Sequence, residues 1–308
     1  MTSILIVGSG SITKKHYAAA RKLGYSSIDI VGSREILALG KSGLKSACAS
    51  YSHLISCQPA PFRKALLKLV SGLDLAVLVE KPIADNLADA EAIAELSATF
   101  RKFEVEYNLR FTKGFALMKE ALTRRSNWLG CRVICETFAP NWRHSAFETT
   151  VTAQKALGGG CLRELSHEID YVLGLFGYPD GIDCEVSRAR FPQTDVEDVA
   201  SMVLQYKQGM NSKNFERDVS IFLDIGAPRE ERYCVVDYAD GTSIKWDLCN
   251  NLLYELDDYG QRKETKLEDD VGKSYIQQMR AFLSTRCARP TSASVDVMKV
   301  ISVIEPSI

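Results

Sequence analysis

The tightest constraint lies in the first two dozen residues. The apolar run Ile4–Val7 meets Gly8-Ser9-Gly10-Ser11-Ile12-Thr13 at once, and a helical pattern then runs to Leu23, with Gly24 as its stop. Four apolar residues without polar alternation are what a strand buried on both faces needs. Such a strand, turning through glycine straight into a helix, opens a β-α-β unit.

The pattern repeats. Ile28–Val31 ends at Gly32-Ser33-Arg34, and a strand at 54–57 runs into Pro59-Ala60-Pro61. Residues 62–70 read as a helix with Phe62, Leu66, Leu69 and Val70 on one face and Lys64 and Lys68 outside. Ala76–Val79 ends in Glu80-Lys81-Pro82, Asp85 or Asn86 caps an alanine-rich helix, and 104–108 is the next strand. This alternation predicts an α/β fold with a doubly wound, mostly parallel sheet. Beyond a helix near 114–122 the character changes. Strands at 132–137, 201–206, 219–224, 233–236 and Leu252–Leu256 follow, with turns such as Asp240-Gly241 and one strong helix over 161–176. That half predicts an α+β domain with an open, mostly antiparallel sheet. At 308 residues the chain is twice the ~150-residue domain prior, so the expected division is 1–112 and 113–308.

Three segments carry chemistry. In the first, Gly8 permits a tight turn and Gly10 lets backbone approach a pyrophosphate, while Ser11 and Ile12 open the helix whose N–H groups and dipole favour the anion. Thr13 stands where a dinucleotide turn usually has its third glycine. The end of the second strand should read the adenosine ribose. Ser33-Arg34 stands there instead of an acid, and a guanidinium suits a 2′-phosphate, so the pattern favours NADP over NAD. In the second segment, Glu80-Lys81-Pro82 closes a predicted parallel strand, where open α/β sheets place their ligands. Pro59, Glu80 and Lys81 complete the expected cofactor-binding set. The third segment is Gly158-Gly159-Gly160 with the helix after it, expected to turn Leu165, Ile169, Val172, Leu173 and Phe176 to the core. Glu164, His167 and Asp170 share another stripe of that helix, where either acid could orient the imidazole as a general base. His16, His53 and His144 have no such setting.

Lys plus Arg (38) nearly balances Asp plus Glu (39), which argues against a nucleic-acid partner. No apolar run approaches the ~20 residues of a membrane span, and the start MTSILIVGSGS lacks a signal peptide's charged region. The nine cysteines form no C-x-x-C pair, so no metal site is expected; reduced, buried thiols in a cytoplasmic protein are.

The strand-G-x-G start, the Glu-Lys-Pro strand end, Asn108-x-Arg110-Phe111 and the Gly-Gly-Gly…His-Glu-Ile-Asp helix occur here in the order seen in the glucose–fructose oxidoreductase/inositol dehydrogenase/MocA (Gfo/Idh/MocA) family, which the chain resembles over nearly its whole length. The resemblance implies hydride transfer between nicotinamide and a carbinol of a sugar, sugar nucleotide or cyclitol. It gives Lys81 the reacting hydroxyl and the cofactor ribose, and His167 the proton, with Glu164 beside it. Asn108, Arg110, Trp142 and Arg143 join Lys81 and His167 as expected substrate-binding residues. The stretch Pro140-Asn141-Trp142-Arg143 resembles the branch found with bacterial surface-sugar biosynthesis, although residues 146–148 lack the Tyr and Arg of that branch. A homodimer or homotetramer is expected from the open sheet. Between Arg34 and the strand at 54 the chain is shorter than the family's third strand and helix need. Two other classes stay open: a binding or regulatory protein on the same scaffold, and a lyase or hydrolase with tightly held NAD.

Overall fold

The computed structural model describes residues 2–207, 216–268, 271–284 and 291–304. By contacts the chain falls into two units. The first holds residues 2–108 with Ala156–Gly158 and Gly272–Lys299. In it run β1 (Ile4–Val7), α1 (Ser11–Lys22), β2 (Ile28–Val31), α2 (Ser33–Ala38), α3 (Gly40–Cys48), β3 (His53–Ser56), α4 (Ala60–Val70), β4 (Ala76–Val79), α5 (Leu87–Ser97) and β5 (Lys102–Val105). The five strands pair in parallel in the order β2-β1-β3-β4-β5. Every residue of β1, β3 and β4 is buried, as their apolar runs require. The core packs Ile4, Ile6, Ile55, Ala76 and Leu78 against Ala19 and Ala20 of α1.

The edge strand β2 is different, with Ile30 49% exposed. The segment after it forms α2 and α3 and no third strand, as its length implied. On α4 the buried stripe is Arg63, Leu66, Leu67 and Val70; Phe62, expected inside, is exposed. Lys64 leaves the helix to pair with Asp89.

The second unit holds residues 109–155, 159–271 and 300–304 of the described chain. Its elements are α6 (Lys113–Arg124), β6 (Trp128–Phe138), α7 (Cys161–Glu164), α8 (Ser166–Phe176), β7 (Gly181–Ser187), β8 (Val199–Lys207), β9 (Glu216–Asp224), β10 (Gly226–Tyr238), β11 (Ser243–Asp247), β12 (Leu252–Leu256) and β13 (Arg262–Lys266). The sheet order is β13-β12-β11-β10-β6-β9-β8-β7, with all pairs antiparallel except β6 and β9. Along β8, Ala200, Met202, Leu204 and Tyr206 are buried and alternate with more open residues, so this strand has one core face. The Asp240-Gly241 turn forms, Gly241 in the left-handed region. The short strands β7, β11 and β13 add to those the sequence marked.

One boundary needs correcting. α9 (Val271–Leu283) and most of α10 (Ser292–Ile304) belong with the first unit, because Met279 and Phe282 pack on its β1 core. The first unit also closes at Asn108, before the expected 112. Of the cysteines, 48, 57, 131, 135, 161 and 234 are buried, 184 is half-buried and 249 is exposed. Cys287 lies outside the described residues.

Candidate active site

The chain runs from β1 outward to β2 and then returns to the other side of β1 as β3, so the strand order reverses between β1 and β3. In open parallel sheets the crevice at the carboxyl end of that point is the usual ligand site. Gly8 leaves β1 there with φ +146°. A Cβ on it would lie 2.9 Å from both Cys57 Cβ and Thr13 Oγ1, so glycine is required twice over, by conformation and by space. Thr13 is buried and fills the place of the third glycine, against Gly8 itself. Gly10 is the N-cap of α1 and faces open space. No side chain caps this helix and its first turn carries no acid, leaving its N–H groups and dipole available to an anion. Ser11 is exposed and Ile12 packs on the β1 core. Ser33 opens α2, with Arg34 exposed beside it, and Pro59 is the N-cap of α4.

Glu80 follows β4 on the same sheet end, its N–H donating to Ser56 O. The residue is 6% exposed, and Oε1 accepts from Nε2 of the buried His16 at 2.6 Å. Burial alone would raise the Glu80 carboxyl; the hydrogen bond and charge of His16, with Arg63 and Lys81, hold it below its ordinary value. Arg63, also buried, donates Nε to Gln58 O and its two terminal nitrogens to the carbonyls of Pro82 and Lys81. Burial pulls the Arg63 guanidinium down to about 10, against the attraction of Glu80. The Lys81–Pro82 bond is cis. Lys81 is half-buried, whereas the three residues after it are buried.

In the second unit the expected single helix breaks at Leu165, the C-cap of α7, so Glu164 ends one short helix and His167 sits in the first turn of α8. From Cys161 to Val172 every residue is buried except Glu164 and His167, which form the one open strip of the segment. Leu165, Ile169 and Val172 face the core as expected, but Leu173 and Phe176 are only half-buried. The acids around His167 have partners that their spacing does not show. Glu164 Oε1 accepts from Thr152 Oγ1 at 2.8 Å. Asp170 takes Arg110 through Nε–Oδ2 at 2.7 Å and a second bond to Oδ1. Glu168 takes Arg232 at 2.7 Å; burial pulls the guanidinium down, but the charge and hydrogen bond of Glu168 together with Cys135 and Tyr171 raise it. The glycines 159 and 160 face protein rather than open space. A Cβ on Gly159 would strike Val151 O at 2.4 Å, and one on Gly160, at φ +106°, the Glu197 carboxylate at 2.3 Å.

Two expected substrate-binding residues also have protein partners. Asn108 is buried and donates to Ser274 Oγ at 2.8 Å. Arg110 lies across α8, where a Cβ on Gly174 would be 1.9 Å from its Nη1, and its fork is spent on Asp170. Trp142 and Arg143 lie exposed on a 3-10 turn after β6, with the indole donating to Thr137 Oγ1. Sequence reasoning missed His16 and Arg63. A signal was present: Thr13-x-x-His16-x-x-x-Ala20 and Arg63-x-x-Leu66-Leu67-x-x-Val70 are helical core stripes that each carry an ionisable residue, and such a residue needs a buried partner.

A sequence model of the GFO/IDH/MocA C-terminal domain matches residues 117–213. No curated protein matches the chain by sequence. Among solved structures, an inositol dehydrogenase homolog from Azotobacter vinelandii, complexed with NADH and myo-inositol, superposes with a TM-score of 0.78 at 12% identity, over 99% of this chain and 95% of its own. A levoglucosan dehydrogenase complexed with NADH and levoglucosan gives 0.79 at 14% identity, over 99% and 96%. An NAD binding oxidoreductase from Klebsiella pneumoniae gives 0.76 at 15%, again over 99% and 96%. At such identities the likeness is one of fold. Residues 117–213 thus match the GFO/IDH/MocA C-terminal domain, and the chain as a whole shares the fold of these dehydrogenases.

Proposed function

We propose that this protein is an NAD(P)-dependent oxidoreductase that moves a hydride between nicotinamide and a CH–OH carbon of a sugar, sugar nucleotide or cyclitol. One observation carries the reading. The Glu80-Lys81-Pro82 segment is held by buried side chains on the same sheet end as the open Gly8–Gly10 turn. That turn fits a pyrophosphate, since Gly10 faces open space and α1 presents an uncapped N-terminus. Gly8, Gly10, Ser11, Ile12, Ser33, Arg34, Pro59, Glu80 and Lys81 would hold the dinucleotide, which when bound supplies the hydride chemistry. The solved relatives carry NAD or NADH and a cyclitol or sugar, and this supports the substrate class.

Lys81 hydrogen-bonds the reacting hydroxyl and stabilises the negative charge that develops on its oxygen. His167, one of the two open residues on its segment, takes the proton in oxidation and returns it in reduction. Glu164, the other, lies beside the substrate. Trp142 and Arg143, both exposed, contact the sugar, and the Pro140–Trp142 turn supports a role in surface-polysaccharide sugar biosynthesis. Arg34, exposed at the start of α2, favours NADP. The one-sided β8 supports a dimer or tetramer in the cytoplasm, with the sheet's open face as the contact.

The test is a screen of sugars, cyclitols and sugar nucleotides for a change in reduced-nicotinamide absorbance. The wild type should turn over at least one, and Lys81→Ala and His167→Ala should each lose at least ~10²-fold in kcat while folding normally. A protein that binds dinucleotide and sugar without any redox change would instead be the regulatory form of this scaffold.

A further inference from the structure

We propose that His16 and Arg63 are positioning residues for Lys81: His16 holds the Glu80 carboxylate on one side of the lysine, and Arg63 holds the carbonyls of Lys81 and Pro82 on the other. This rests on Lys81 being a catalytic residue. The geometry carries it. α1 begins at the glycine turn and its second turn delivers His16, so the helix that would receive the phosphates is bonded at 2.6 Å to the residue preceding the lysine. An ionised carboxylate only accepts, so the ring donates from Nε2. Arg63 comes from the first turn of α4 and bridges three carbonyls, of Gln58, Lys81 and Pro82, which ties the end of β3 to the end of β4. With Glu80 and both following carbonyls occupied, the Lys81 backbone has one way to leave the strand. A longer flexible side chain reaches a hydroxyl reproducibly only from such a fixed root.

The groups acting on Glu80 include His16 from α1, Arg63 from α4 and Lys81 beside it, and the Cys57 thiol at the end of β3 feels both Glu80 and the buried Glu106 that follows β5. The His16 ring meets Tyr275 of α9 edge-on at 5.9 Å, and Lys15 lies over that Tyr275 ring at 5.2 Å. Without the imidazole, burial is left as the dominant influence on the carboxyl and drives it upward toward neutrality. A protonated Glu80 loses both its charge beside Lys81 and its tether.

The experiment compares His16→Ala and His16→Gln, the latter keeping an N–H donor toward the carboxylate. Two quantities are read in each: the Glu80 titration midpoint, by NMR of protein labelled with carboxyl-13C glutamate and assigned with Glu80→Gln, and the pH profile of kcat and KM on the substrate found in the screen. In His16→Ala the Glu80 midpoint should rise by at least ~1 unit. Its kcat should fall by ~10-fold at neutral pH, the acid limb moving up with the carboxyl, at nearly unchanged cofactor KM. His16→Gln should stay within ~3-fold of wild type, which a residue needed only for packing would not show. An unmoved Glu80 midpoint in His16→Ala overturns the proposal, and so does a moved midpoint with an unmoved kcat profile. A wild type without turnover would mean that the dehydrogenase reading has failed; the NMR arm then decides the His16–Glu80 coupling by itself.

Discussion

The two ends of the parallel sheet each bury a histidine, and they use it in opposite ways. At the carboxyl end His16 bonds a carboxylate at 2.6 Å. At the amino end His53, 6% exposed, bonds Ser52 Oγ at 2.9 Å and packs edge-on against Phe282. Burial first, then Arg101 and Lys102, push the His53 imidazole down to about 4. The amino end also has a polar groove, lined by Ser3, Tyr51, Ser52, Asp74 and Arg101. A buried histidine and an arginine are thus found at both ends. What differs is the glycine turn, the uncapped helix and a lysine whose neighbours are tied down. Burial alone does not mark a functional histidine; the charge of its partner and the direction of the strands do.

The sharpest contrast is mutational. Lys81→Ala should cost at least ~10²-fold in turnover, whereas Arg101→Ala at the opposite end should leave kcat unchanged. Equal losses would erase the distinction between the ends.

Stability against pH separates the histidines next. His53 stays neutral in the fold to about 4, but unfolded it binds a proton near 6.5. The unfolded state therefore holds more protons between those values, and the fold loses stability as pH drops through that window, by on the order of 2 kcal/mol. His53→Phe should remove this dependence in urea titrations at pH 7 and 4.5. Glu80 behaves as a depressed acid. Its contribution is present above pH 4.5 and lost as pH falls through its lowered folded value, so Glu80→Gln should lose that contribution at neutral pH and flatten the fall in stability below pH 4.5. The smallest effect is at the adenosine side. Arg34→Ala should lower the preference for NADPH over NADH several-fold, measured as the ratio of dissociation constants, since one exposed guanidinium-phosphate contact is screened by water.

Much of the first unit was legible in the residues. Ile4–Val7 and Ala76–Val79 are short and apolar enough to be buried strands, the strand read at 54–57 lies one residue earlier, at His53–Ser56, and the strand-end motifs follow directly. What stayed hidden is tertiary. Nothing local says that His16 reaches Glu80, 64 positions away, or that Met279 and Phe282 return to the β1 core. In the second unit, the i, i+3 spacing of Glu164, His167 and Asp170 read as one stripe. Glu164 also bonds Thr152, and Asp170 bonds the distant Arg110, partners that the spacing does not show. Helical spacing places residues on a face; it does not choose their partners.

The most direct measurement is the initial rate of nicotinamide reduction or oxidation with the sugar or cyclitol found by screening, in wild type, Lys81→Ala and His167→Ala. The account predicts a wild-type rate and at least ~10²-fold lower rates in both variants, with dinucleotide still bound. Wild-type rates in both variants would contradict it.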